Sequence, residues 1–242
     1  MLLLNGNCLE LIKDISDNSV DLVICDLPYG QTDCAWDNRI DLGQLWIELK
    51  RIGKTNTPYF FFCTTKFGYE LIKSNEKWFR YDLVWSKENS NTGFLNARKM
   101  PMRGHEMIYV FYDKLPYYNI EDNHVYIGKN NKNKIITHNS IYGSNPNLVQ
   151  VSGRMWEPPL PKSVIKYNVN MNRKKQNHPT EKPIGILEWI IKYFSKKGDV
   201  VFDPTMGSGS VGVACNNLER DFIGFEMDKE FFDVACKRCK QE

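Results

Sequence analysis

Asp26 and Tyr29 stand three residues apart in Cys25-Asp26-Leu27-Pro28-Tyr29-Gly30. A carboxylate accepts hydrogen bonds from an amino group and a phenol ring stacks on a flat ring, so the pair suits an amino-bearing nucleobase. The apolar run at 20–24 predicts a buried strand just ahead, and Pro28 and Gly30 predict a turn at its end. Ligands of open α/β sheets bind at that end of a strand. A second stretch, Phe202-Asp203-Pro204-Thr205-Met206-Gly207-Ser208-Gly209-Ser210, also follows an apolar strand. Gly207, Gly209 and Gly212 spell G-x-G-x-x-G, and Glu226 follows at about the distance of a ribose-binding acid. By itself that fingerprint also fits a nicotinamide or flavin oxidoreductase.

The elements that must hold these residues alternate. A short strand at 2–5 leads into Gly6-Asn7-Cys8 and a helical spacing of Leu9, Leu11, Ile12 and Ile15. Beyond the Asp26 turn, residues 32–37 read as a loop in which Trp36 either covers an extruded base or simply packs. A helix over 42–52 ended by Gly53, strands at 59–63 and 81–85 and a helix between them continue the alternation. Such a pattern predicts a mainly parallel sheet. Residues 86–104 lack periodicity and carry Lys87, Arg98, Lys99 and Arg103, which suit phosphate contacts. His105 reads as a structural residue, because no general base is required there. Thr180 is placed to cap a helix starting near Pro183, and a last helix is expected over 229–240.

Asp26-Leu27-Pro28-Tyr29 resembles the Asp-Pro-Pro-Tyr signature of the DNA amino-methyltransferases, and the stretch at 202–210 resembles their S-adenosylmethionine loop. Catalytic stretch first and cofactor loop last is the order of the family's β group. Trp85-Ser86-Lys87, Arg103-Gly104-His105-Glu106 and His178-Pro179-Thr180-Glu181-Lys182-Pro183 resemble further motifs of that family. The resemblance implies an α/β, Rossmann-like methyltransferase fold, a mainly parallel sheet with helices on both faces, circularly permuted. It divides the chain into a catalytic half at 1–111, an inserted target-recognition region at 112–177 and a cofactor-binding half at 178–242. Asp26, Leu27, Pro28 and Tyr29 would be catalytic, with Leu27 in place of the usual first Pro and lending only its carbonyl. Asn7 and Cys8 would line the adenine pocket of the cofactor, Asn7 replacing the usual Asp. Thr180 and Lys182 would lie at the methionine end, with Lys182 facing its carboxylate. Asp203, Pro204, Gly207 and Gly209 would form the loop beneath the cofactor, and Glu226 would hold its ribose. An Asp at position 26 leans toward adenine N6 and a Ser toward cytosine N4, which stays the alternative. Double-stranded DNA is the implied partner, with room for a homodimer and a companion restriction enzyme.

Composition narrows the rest. The chain has 242 residues, enough for one large domain with an insertion. Seven cysteines suit reduced thiols, and Cys236 and Cys239 form a lone C-x-x-C without a second pair for a structural zinc. No apolar run approaches the roughly 20 residues of a membrane helix, so the expected setting is the bacterial cytoplasm, for a bacterial or phage-encoded enzyme. Between positions 112 and 182, eleven Lys and Arg face five Asp and Glu, concentrating positive charge in the insertion. That is the footprint of a nucleic-acid backbone. No Pro is followed by Cys, which sets aside methylation at cytosine carbon 5 through a Pro-Cys nucleophile.

Overall fold

The strand Tyr59–Cys63 is apolar at every position, and such a strand is stable only where both sheet faces are covered. The computed structural model, which describes residues 1–30, 39–127, 156–169 and 181–239, places it near the sheet's centre with no residue more than 1% exposed. In chain order the strands are β1 (Leu2–Asn5), β2 (Leu22–Cys25), β3 (Tyr59–Cys63), β4 (Phe79–Ser86) and β5 (His105–Phe111). They continue as β6 (Val125–Tyr126), β7 (Trp156–Glu157), β8 (Val164–Lys166), β9 (Val200–Asp203) and β10 (Asp221–Glu226). The helices are α1 (Cys8–Leu11), α2 (Leu42–Ile52), α3 (Thr65–Ser74), α4 (Ile184–Phe194), α5 (Ser210–Asn217) and α6 (Lys229–Cys239).

Tyr59 and Phe61 of β3 meet Trp46 of α2 at ring separations of 5.7 and 5.3 Å. One residue along, Phe60 points to the opposite face and meets Phe194 of α4 at 4.8 Å. The two-residue side-chain period of a strand thus puts helices on both faces. Asp41 caps α2 by accepting from the Gln44 amide, and Gly53 ends it where a Cβ would lie 2.2 Å from the Tyr59 hydroxyl.

The main sheet runs β1-β10-β9-β2-β3-β5-β4-β8. All its pairings are parallel except those of β5, which runs against both β3 and β4. The cause is local: residues 87–104 return the chain directly beside β4 without the helical crossover a parallel neighbour needs. β1 pairs with β10, so the Asn7 turn, the glycine turn and the Asp26 turn all open at one end of the sheet. Helix α4 starts after Pro183, which occupies the N-cap with no side-chain bond, rather than being capped by Thr180. Proline's fixed φ suits a helix entry.

Two compact units emerge, one of Met1–Tyr118 with Ser163–Glu242 and one of Asn119–Lys162. The second is narrower than the expected 112–177 insertion because β8 joins the large sheet beside β4, burying Ile165 between exposed Val164 and Lys166. Three residues are too few for a periodicity to show. In the smaller unit β6 pairs with β7, Tyr126 packs on Trp156 at 5.1 Å, and buried His124 sets Nδ1 2.7 Å from the Pro158 carbonyl.

Gly212 shows what the fingerprint glycines do in packing. A Cβ there would lie 2.6 Å from Cys239 Sγ on α6 and 2.9 Å from the Phe222 ring on β10. Gly212→Ala is expected to lower stability by about 1–3 kcal/mol through overpacking, read as a lower urea midpoint with an unchanged slope. An unchanged midpoint would contradict this packing.

Candidate active site

Strand ends place the reactive groups. β2 delivers Asp26, β9 delivers Asp203, β10 delivers Glu226 and the turn after β1 delivers Asn7, all lining one cavity of about 900 Å³. Leu27, Pro28 and Tyr29 line it too, as do Cys8, Lys182, Pro204 and Gly207. Most of the residues that the sequence singled out therefore converge on one space.

Around Asp26 the polar contacts are dense. Its Oδ1 accepts from the Tyr29 hydroxyl at 2.7 Å, and that hydroxyl also reaches the Phe62 carbonyl at 3.0 Å, fixing the ring in the cavity wall. Burial pushes the Tyr29 phenol well above its usual range, with the Asp26 and Glu106 charges adding to the effect, so it stays a donor. Asp26 Oδ2 accepts from the Lys182 ammonium, and Lys182 also lies 3.6 Å from Glu106 Oε2. The other Glu106 oxygen pairs with Lys87. Burial opposes the charge on Lys182, yet the Asp26 and Glu106 carboxylates outweigh it and hold the ammonium above its usual range. Glu106 shows the mirror case: burial raises it, but Lys182 and Lys87 together leave it below the usual carboxylate range. The result is a chain of alternating charges, Asp26, Lys182, Glu106, Lys87.

The neighbouring wall is built from the glycine turn. Gly207 takes a left-handed φ of 54° and donates its amide to Glu226 Oε2 at 2.9 Å, while Glu226 Oε1 accepts from the Asp228 amide at 2.8 Å. Burial raises Glu226, and it raises Asp203 well above the carboxylate range although Thr205 donates to it. Thr205 Oγ1 also donates to the Asp26 carbonyl at 3.2 Å, tying the two turns together. Arg238 of α6 holds the turn from behind, donating to the Ser208 carbonyl and Oγ at 2.8 and 2.7 Å and to Glu181 at 2.5 Å.

Several expectations change on this geometry. Lys182 lines the cavity but its ammonium is committed to Asp26 and Glu106, instead of standing free for a cofactor carboxylate. Lys87, expected at a phosphate, is only 9% exposed because Glu106 draws it inward. Gly209 does not line the cavity; its φ is 79°, and a Cβ there would lie 3.0 Å from the Ala235 side chain, which makes it a packing position against α6. Asn7 lines the cavity, and its Oδ1 accepts from the Leu9 amide to cap α1 with one lone pair left over. Arg98, Lys99 and Arg103 are exposed. Thr180 and Trp36 lie outside the described residues. The residue that sequence reasoning missed is Glu106. The signal was present: it shares a strand face with Ile108 and Val110, both fully buried, where a lone acid needs a partner.

A family model described as DNA methylase, of the N6 and N4 methyltransferase type, matches residues 20–237. The chain belongs to the DNA methylase family. It is 27% identical to the Type II methyltransferase M.HinfI of Haemophilus influenzae, over 99% of this chain and 68% of that one. M.HpaI of Haemophilus parainfluenzae is 28% identical, over 99% of this chain and 74% of its own. Among solved structures, a complex of M1.HpyAVI with SAM superimposes with a TM-score of 0.66 at 23% identity, each chain covered to 99%. The cytosine-N4-specific PvuII DNA methyltransferase gives 0.69 at 15% identity, covering 99% of this chain and 86% of that one. Those two likenesses establish the fold, a Rossmann-like α/β methylase sheet.

For this DNA methylase, Glu106→Gln tests the charge chain. It removes one of two carboxylates facing Lys182 and is expected to cost about 1–3 kcal/mol at neutral pH. Glu106 is held below its usual range, so its stabilisation is present above the unfolded Glu pKa and fades as pH falls through the lowered folded value. Lys182 is held above its range, so its share persists until pH rises through that raised value. Urea unfolding across acidic pH should therefore show wild type and variant converging as pH falls. Parallel curves would sink the assignment.

Proposed function

We propose that this DNA methylase transfers a methyl group from S-adenosylmethionine to the exocyclic N6 amino group of an adenine extruded from duplex DNA. The observation that carries it is the Asp26 carboxylate at the end of β2, in one cavity with a glycine turn and a ribose-distance acid. The residues present fit the cofactor: the cavity of about 900 Å³ lies within the size range of pockets that enclose such ligands, and the Gly207 backbone curls beside Glu226 as a close-approach turn requires. When bound, S-adenosylmethionine supplies an electrophilic methyl on its sulfonium. Glu226 is suited to the ribose hydroxyls, because each of its oxygens already carries a backbone donor and retains acceptor capacity.

An adenine amino lone pair is delocalised into the ring and is a poor nucleophile until the nitrogen becomes more tetrahedral. Asp26 and the Leu27 carbonyl can each accept an amino hydrogen, favouring that geometry and stabilising positive charge as it develops. Tyr29 and Lys182 hold the Asp26 carboxylate in place, one on each oxygen, without using all of its lone pairs. Asp26 then takes the departing proton. Extruding the base costs a few kcal/mol, part of which stacking against Tyr29 offsets. Asp rather than Ser at position 26 supports adenine over cytosine. The Type II relatives support a companion restriction nuclease whose site the methyl group would protect.

The test is incubation with methyl-labelled S-adenosylmethionine and mixed-sequence DNA, followed by digestion to nucleosides. Labelled N6-methyladenine is expected, reduced about 100- to 1,000-fold in Asp26→Ala. Labelled N4-methylcytosine would overturn the base assignment while keeping the fold, and label unaffected by Asp26→Ala would overturn the mechanism.

A further inference from the structure

Residues 87–104 form a shaped projection. Thr92 and Arg103 exchange backbone hydrogen bonds of 2.9 and 3.0 Å, and the Lys87 amide donates to the Gly104 carbonyl at 2.8 Å. Asn89 exchanges two more with the Val169 backbone, at 2.9 and 2.8 Å, pinning the base of the loop. At the tip Gly93, with φ of 85°, starts a 3₁₀ turn over Phe94–Asn96, and the amides of Lys99 and Met100 return to the Asn96 carbonyl. That bonding fixes the backbone path of the tip. What it displays is apolar: Phe94 is 71% exposed, Leu95 85%, Met100 58% and Met102 47%. Large exposed apolar side chains concentrated in one short loop are of the kind that mark an interaction surface.

Charge identifies the occupant. Between Glu88 and Glu106 the sequence has three cations, Arg98, Lys99 and Arg103, all exposed, and no acid. A second copy docking the same patch on itself would bring like charges together. A polyanion with an apolar interior satisfies both features, and stacked duplex DNA is one. The loop also leaves and re-enters the sheet at the site: Ser86 pairs with His105, and the next residue, Glu106, lines the catalytic cavity.

We propose that residues 93–102 are a wedge that enters duplex DNA beside the target nucleotide. Phe94 and Leu95 fill the gap that the extruded base leaves in the stack, while Arg98, Lys99 and Arg103 hold the flanking phosphates. The inference rests on the base-extruding methyl transfer proposed above. Apolar wedges that replace lost stacking lower the cost of separating a base from its neighbours.

The test uses the full chain, with methyl transfer from labelled S-adenosylmethionine to mixed-sequence duplex and anisotropy on a labelled duplex of the same kind. The double variant Phe94→Ser/Leu95→Ser is expected to lose transfer about 10-fold or more, consistent with unstacking of a few kcal/mol, while its melting temperature and cofactor affinity stay at wild type. Phe94→Tyr/Leu95→Met is expected to restore most of the rate. Replacing Arg98, Lys99 and Arg103 by Gln should weaken duplex binding and shallow the log-log salt slope by about 0.9 for each phosphate no longer neutralised. In Phe94→Trp, emission above the wild-type background should be quenched by duplex. A double variant as active as wild type overturns the wedge alone. So does a wild-type dimer that the double variant dissociates, seen by sedimentation. A wild type that transfers no methyl to DNA overturns the parent reading and the wedge with it.

Discussion

The buried ammonium of Lys182 is the constraint on which the site depends. It comes from the segment just before α4, whereas its partners come from β2 and β5, strands on either side of β3. A charge with side-chain exposure of only 10% persists only when paired, so the three segments are held in one arrangement. Asp26 thereby acquires a fixed orientation before any substrate arrives, which is the preorganisation that electrostatic catalysis needs. The aromatic packing of β3 serves the same end, because it keeps the strands carrying those carboxylates at a set separation.

The turns that line the cavity share hydrogen bonds. Thr205 donates its hydroxyl to the Asp26 carbonyl and its amide to Asp203, so the turns that follow β2 and β9 are tied to each other. Glu226 does the corresponding job at the far wall, where its carboxylate shapes the glycine turn by accepting the Gly207 amide. Asp203 and Glu226 are thus structural acceptors as well as chemical groups, and burial raises both although the backbone amides that donate to them pull the other way.

Much of this arrangement can be read in the chain, and the limits are physical. Asp26, Tyr29, Gly207 and Glu226 are legible because each sits at the junction of an apolar run and a turn, where residue type and position coincide. The helix at 42–52 is legible from its period and its terminal glycine. The reversal of β5 is not, since a strand's own sequence says little of its neighbour's direction. Lys87 and Lys182 carry the same side chain as any solvated lysine; only the fold reveals that Glu106 and Asp26 turn them inward. Gly209 misleads in the opposite way, fitting a ligand motif while relieving a clash with α6.

The grip of Arg238 on Ser208 and Glu181 places a latch on α6 at the back of the glycine turn and beside the residue that precedes Lys182. Sequence distance from position 26 is therefore a poor guide to phenotype in this protein. A random mutational survey scored by loss of methylation would find Arg238 among the most damaging positions, although its side chain does not line the cavity. Homologues would be free to vary that contact only by changing Glu181 and Ser208 in concert, so the latch should evolve as a unit.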